Sequence, residues 1–287
     1  MVVKTTRLPA PGETILGGHF IMAPGGKGAN QAVAAARLGG NVTFIAKLGD
    51  DIFGKQAIHL FQHENIDTRH IITDPQNPSG IALITVDAKG ENCIVVASGA
   101  NAGLTPADIP EQPIQNATLI LLQLEIPLET VEYITKKAAA HQVPVLLNPA
   151  PARELNDELL QNVHILTPNQ TEAGMLTGIP ITDRPSAVSA AKALAAKGVK
   201  TVIITLGKSG ALILDHGNIE WVPAPEVTAV DTTAAGDVFC GSLAVALSEK
   251  KEIKEAVSFA CAAAALSVTK MGAQTSAPTR TALNAFL

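Results

Sequence analysis

The chain predicts an α/β fold: a Rossmann-like, mostly parallel sheet with helices on both faces, carrying a small β-sheet lid. Three observations lead there. Short β-branched runs alternate with longer Ala-rich runs over most of the 287 residues, and strands that are apolar throughout belong to sheets covered on both faces. Hydrophobic residues make up 47% and charged residues 16%, a balance that supports a sizeable core and excludes a disordered chain. Two stretches, 12–23 and 80–97, have strand character but no crossover helix after them. They read together as the lid.

In chain order, strands are expected at 42–48, 118–124, 143–148, 164–167 and 201–206. Helices are expected between them at 28–38, 53–65, 128–141, 171–177 and 186–197. Within the lid, 81–86 and 92–97 form a hairpin around 87–91. A second hairpin, 211–215 with 219–222, suits an antiparallel edge of the main sheet. Two consecutive helices, 235–248 and 253–270, complete the chain. No repeat or long Pro/Gly linker divides it, so residues 1–287 are expected to form one domain.

Composition also narrows function. Aromatics are 3%, with one Trp and one Tyr, which is unfavourable for a base-stacking platform. A net charge of −5 lacks the footprint of a nucleic-acid binder. Cys93, Cys240 and Cys261 are widely spaced and suggest neither a disulfide framework nor a zinc site. There is no apolar run of membrane-spanning length and no signal-peptide pattern at Met1–Thr6, so a cytoplasmic protein without membrane or nucleic-acid partners is expected. His59 and His63 lie four apart on a predicted helix, but no third ligand accompanies them.

Four segments carry chemistry. Asp231-Thr232-Thr233-Ala234-Ala235-Gly236-Asp237 runs straight into an apolar helix. Small residues at a helix start let backbone amides approach a phosphate, with the positive end of the dipole behind them. An Asp at such a mouth suits a base that takes a proton from a hydroxyl attacking the phosphate; the competing reading is an Asp that caps its own helix. Pro24-Gly25-Gly26-Lys27-Gly28-Ala29-Asn30 is not a Walker A loop, and suits close contact with a hydroxyl-rich ligand or a plain glycine turn. Asn169 and Glu172, after a strand and entering a helix, can aim at Mg²⁺ or form a capping box. Thr205-Leu206-Gly207-Lys208-Ser209-Gly210 follows a strand and is able to wrap a nucleotide.

Taken together, these segments resemble the ribokinase (pfkB-type) carbohydrate kinase family. The first family signature is met by Gly25-Gly26, Asn30, Ala32, Gly39 and Gly49, and the second by Asp231 to Asp237. Asn169…Glu172 resembles the family's N-x-x-E motif, and Gly99-Ala100-Asn101, Gln123-Leu124-Glu125, Asn148–Arg153 and Gly272-Ala273-Gln274 extend the likeness over the whole chain. The resemblance implies ATP-dependent phosphorylation of D-ribose at its 5-hydroxyl. Asp237 would be the general base, and the Ala234, Ala235 and Gly236 amides the anion hole. Gly25, Gly26, Lys27, Asn30 and Glu125 would hold the sugar. Asn169, Thr205, Gly207, Gly210, Gly236 and Cys261 would line the ATP site, with Glu172 acting on Mg²⁺ through water. Asp231, Thr233, Ser267, Lys270, Gly272 and Ser276 would surround an activating K⁺. The lid is implied to close over the sugar and to pair with its copy in a homodimer.

The family usually opens with a strand ending in G-S-x-N-x-D, whose Asn and Asp bind sugar hydroxyls. Here Leu8–Thr14 matches the sequence just after that motif, so Met1 is expected to be an internal Met. The strand's neighbours would then expose backbone groups that should be paired. The alternatives are a family kinase for another sugar or a nucleoside, and a nucleotide- or sugar-binding protein without turnover.

Overall fold

A computed structural model of the chain describes residues 1–16, 18–89 and 91–287. Gly17 and Gly90, which the lid prediction also spans, lie outside them. The lid opens the chain with β1 (Val2–Lys4) and β2 (His19–Ile21). Next come β3 (Thr43–Gly49) and β4 (Asp67–Asp74), then β5 (Ile81–Val86) and β6 (Asn92–Ala97), which complete the lid. The main sheet is built from β7 (Ile120–Leu122), β8 (Val145–Leu147), β9 (Ile165–Leu166), β10 (Thr201–Thr205), β11 (Ala211–Asp215) and β12 (Asn218–Val222).

The six strands lie in the order β12-β11-β10-β9-β8-β7, parallel from β7 to β10 and antiparallel at the β11–β12 edge. Alternation explains why these strands are apolar throughout. Val145, Leu147, Val202, Ile204, Leu212 and Leu214 face one core with the helices Leu128–Ala140 and Arg184–Ala196. Leu146, Ile165, Ile203 and Ile213 face the other, against the helices Ala235–Ser248 and Ile253–Ser267. Side chains of period two thus fill two cores from one run.

The Lys27–Arg37 helix also joins the second core. It meets the Ala235–Ser248 helix at Gly241, where a Cβ would lie 2.5 Å from the Gln31 carbonyl oxygen and 2.9 Å from the Ala34 Cβ. Only glycine permits that approach, which brings the starts of the two helices side by side.

The α/β class and the separate small sheet are as expected, with two differences in detail. Among the described residues the small sheet has four strands, in the order β2-β1-β5-β6, so Val2–Lys4 belongs to it, and of the described residues within 12–23 only His19–Ile21 forms a strand. The parallel strands are also divided. β3 pairs only with β4 and β7 only with β8 among the described residues. A cavity of about 2470 Å³ separates them, lined by residues 42–48 on one side and 118–127 on the other. β3 is tied instead to the entrance of β5, where the Gly49 amide donates to the Ser79 hydroxyl.

Candidate active site

The site lies above the carboxyl ends of the parallel strands, where the loops after β7, β8 and β9 meet the starts of two helices. That is the usual ligand position of an open α/β sheet. At its centre is Asp237, 6% exposed, in the first turn of Ala235–Ser248. The preceding residue, Ala234, is left-handed at φ 59°, and no side chain caps this helix. Ala is a poor N-cap, and the Ala234 and Gly236 amides make no hydrogen bond among the described residues. The result is a bare helix start with free N–H groups beside a buried carboxylate, an arrangement suited to an anion.

The capping alternative for Asp237 fails. Its Oδ2 accepts from the Asn30 side-chain amide at 2.8 Å and its Oδ1 from the Gln31 amide at 3.0 Å, both on the neighbouring helix. Burial drives its pKa above the ordinary carboxylate range, against the opposing pull of Lys27 and these two amides.

The Gly25-Gly26 loop leads into the Lys27–Arg37 helix. Gly26 has φ 94°, a conformation that favours glycine. The Lys27 amide donates to Glu125 Oε2 at 2.7 Å, joining this helix start to the loop after β7. Glu125 is raised mainly by burial, and Asp237 adds to the shift. Asn30 Oδ1 is buried with no partner among the described residues, and Asn30 lines the cavity together with Gly25, Gly26, Lys27, Glu125 and Asp237. Unpaired buried acceptors are uncommon, and a hydroxyl donor would satisfy this one. The inner lid residues Val2, Ile84, Ile94 and Val96 line the same cavity.

The loops 230–233 and 268–276 meet beside the bare helix start. The Val230 and Asp231 amides both donate to the Val268 carbonyl, while Asp231 accepts from the Thr233 and Gly272 amides at 2.9 Å each. Burial pushes Asp231 up, but these hydrogen bonds outweigh it and its pKa is lowered. Ser267 and Ser276 are buried, each hydroxyl donating to a backbone carbonyl of its own segment. In the same loop Gln274 Oε1 is buried without a partner. Lys270 sits at the turn between, its amide donating to the Ser267 carbonyl.

A second group gathers around the end of β10. Asn169 bridges Thr205, and the Thr205 amide donates to the Pro168 carbonyl. Gly207 and Gly210 have positive φ, and a Cβ at Gly210 would strike the Val222 carbonyl. The capping-box reading of Asn169 and Glu172 is realised in full: Asn169 accepts from the Glu172 amide, and both Glu172 oxygens accept from Asn169. Glu172 is buried and its pKa is raised chiefly for that reason. Neither Asn169, Thr205, Gly207 and Gly210 nor Cys261 lines the cavity around Asp237. Cys261 is buried in the second core, its thiol pushed up to about 12 by burial.

Gln31, Gln123 and Asn148 have no assigned role in the sequence reading. Gln31 is wholly buried and bonds to Asp237, yet glutamines in an Ala-rich helix carry no chemical signature.

A model of the "pfkB family carbohydrate kinase" matches residues 1–280. The chain is 48% identical over 288 residues to the ribokinase of Haemophilus influenzae, covering all of this chain and 94% of that protein. It is 39% identical over 290 residues to the deoxyribokinase of Salmonella typhi, covering all of this chain and 95% of that one. Among solved structures, Arabidopsis thaliana ribokinase complexed with ribose and ATP superposes with a TM-score of 0.92 at 33% identity, covering 99% of this chain and 94% of that one. With a family match over nearly its full length and relatives of this identity, the chain belongs to the pfkB family of carbohydrate kinases.

Proposed function

We propose that this protein transfers the γ-phosphoryl group of ATP to the 5-hydroxyl of D-ribose, with Asp237 as the general base. One observation carries the reading: Asp237 is buried at an uncapped helix start and is held by Asn30 and Gln31 of another helix rather than by its own backbone. A carboxylate that caps nothing, beside free amides, is placed to accept a proton where an anion develops.

The 5-hydroxyl gives its proton to Asp237 as its oxygen bonds to the γ-phosphorus. The bond from that phosphorus to the β,γ-bridging oxygen breaks, and ADP leaves. The free Ala234 and Gly236 amides face the oxygens of the transferring group and stabilise its charge, while the Ala235 amide, expected to join them, already donates to the Thr232 carbonyl at 3.3 Å. Gly25 and Gly26 admit the sugar close to backbone, while Asn30 Oδ1 and Glu125 accept its hydroxyl protons; Lys27 holds Glu125 in place through its amide. Thr205, Gly207, Gly210 and Asn169 form the floor for the nucleotide.

The donor sets fit the two cations the family implies. Carbonyls, hydroxyl oxygens and one carboxylate with a lowered pKa around 230–233 and 267–276 suit K⁺, and the orphaned Gln274 Oε1 lies in the same loop. Asp231, Thr233, Ser267, Lys270, Gly272 and Ser276 would hold it, several through backbone carbonyls. Glu172 is a lone carboxylate already engaged by Asn169, which suits Mg²⁺ that keeps its waters and rests on substrate phosphates. The cations would neutralise phosphate charge.

The lid supplies the basis for a homodimer. Its registers place Phe20, Val3, Thr85, Leu83 and Val95 on the face away from the cavity. Phe20 and Val95 are 62% and 61% exposed there, and such an apolar face suits a second copy of the same sheet.

ADP release, measured with ATP and Mg²⁺ and each of D-ribose, 2-deoxyribose and adenosine, with and without K⁺, tests the function. Turnover highest with ribose, raised by K⁺, from a particle of twice the chain mass is expected. Preference for deoxyribose or adenosine overturns the substrate, and ATP binding with no turnover overturns the kinase.

A further inference from the structure

We propose that Gln31 is a positioning residue for the phosphoryl transfer: it fixes the rotation of the Asp237 carboxylate and keeps it ready to take the proton. The inference rests on the reading of Asp237 as base.

The orientation of Gln31 is dictated by a chain of hydrogen bonds that begins at a backbone carbonyl. The Thr167 carbonyl, at the end of β9, can only accept, and it takes the Asn148 Nδ2 donor at 3.0 Å. Asn148 therefore turns its Oδ1 toward the Lys27–Arg37 helix, where it accepts from Gln31 Nε2 at 3.2 Å. The same Gln31 nitrogen donates to Asp237 Oδ1 at 3.0 Å, so both of its N–H groups are engaged. Its own Oε1 is left on the far side and accepts from Gln123 Nε2 at 2.5 Å. A reversed Gln31 amide would set its oxygen against Asp237 Oδ1 and Asn148 Oδ1, three acceptors together. The ends of β7, β8 and β9 thus set one direction of hydrogen bonding, and its last donor points at the base.

Gln31 is wholly inside, and Asn148, Thr167 and Asp237 are buried. A buried network that runs in one sense rigidifies what it holds. With Asn30 donating to Oδ2 and Gln31 to Oδ1, the carboxylate cannot rotate without losing both donors. One lone pair on each oxygen stays open for a substrate hydroxyl. The other charged groups that face Asp237 are Lys27 on the neighbouring helix, Glu125 after β7 and Glu172 in the first turn of the helix Gln170–Thr177, while the Cys240 thiol one turn along its own helix, pushed up to about 12, is neutral. Of these only Lys27 favours the ionised base, which leaves the two amides as its remaining support.

The test replaces Gln31 by the similarly long but apolar methionine. Gln31→Met should lower kcat by roughly ten- to a hundredfold, the range for a lost hydrogen bond to a charged group, with KM for ribose and ATP little changed. The acid limb of the kcat–pH profile should move to higher pH, because losing a donor to the charged form raises the base's pKa. Gln123→Met, which frees the Gln31 amide to turn, should show the same pattern more weakly and should add nothing in the Gln31→Met background. It carries the test alone if Gln31→Met does not fold. An unchanged kcat with an unmoved acid limb overturns the proposal, as does a rise in KM for ribose alone. Asp237→Asn, measured in parallel, separates the two readings. If it is inactive while Gln31→Met is fully active, only the positioning role falls; if it retains its rate, the base itself is misassigned.

Discussion

Two buried acids, Asp237 and Glu172, and the half-buried Glu125 stand at the site, each with its pKa raised first by desolvation. For Asp237 the sign has a consequence for stability. A carboxyl whose folded pKa lies above its unfolded value stabilises the fold below the unfolded pKa, and that contribution is lost as pH rises through the folded pKa. Ionised, as its proposed role as a base requires, Asp237 is therefore a burden on the fold. Asp237→Asn should raise the unfolding temperature at pH values above the raised pKa of Asp237, and the gain should shrink as pH falls through that pKa and the native side chain takes up its proton. A gain that does not shrink as the pH is lowered would contradict this. Asp237, Asn30 and the glycine pair were legible as candidates because they stand in the segments that resemble the two family signatures, and the structure brings them to one cavity. Gln31 was not, because its proposed role arises only where Asn148, itself held by the Thr167 carbonyl, and Gln123 meet it from the ends of separate strands.

At the scale of elements, the contact of two helices sets where Asp237 stands against Asn30 and Gln31. Gly241 lies one turn beyond Asp237 and allows the Ala235–Ser248 helix to touch the backbone of Gln31. Gly241→Ala would gain about 1 kcal/mol of helix propensity. It would also force a Cβ to 2.5 Å from the Gln31 carbonyl oxygen, and overpacking of this kind costs about 1–3 kcal/mol. The second effect is the larger. The variant should unfold at a lower temperature and lose kcat, since parting the helices draws Asp237 away from Asn30 and Gln31. A variant with wild-type kcat would show that this contact does not position the base. Strands with continuous apolar runs, such as 201–206 and 211–215, were legible because both faces are buried. β4 was not, because Asp67-Thr68-Arg69-His70 mixes charge into its first half and only Ile71-Ile72 reads as strand. β1 is three residues long and takes its structure from pairing with β2 and β5, which no local pattern announces.

The whole molecule places a lid, a glycine loop and a bare helix start around one cavity at the carboxyl ends of the parallel strands. The class of fold was readable from the alternation of strands and helices, and the lid from the lack of a crossover after its hairpin. The division of the parallel strands was not, since whether β3 and β7 meet depends on what lies between them and not on either sequence. Across that division the residues proposed for sugar, base and anion hole still face one another, through Glu125 to Lys27 and Asp237 to Asn30. The central claim is that Asp237 takes the proton of the sugar hydroxyl. Ribose-dependent ADP release by Asp237→Asn beside the wild type, with ATP binding measured on both, tests it most directly. A fall in kcat of roughly 10²–10⁴, the range for a positioned base, with ATP binding retained, is the expected result. A rate equal to the wild type's would contradict it.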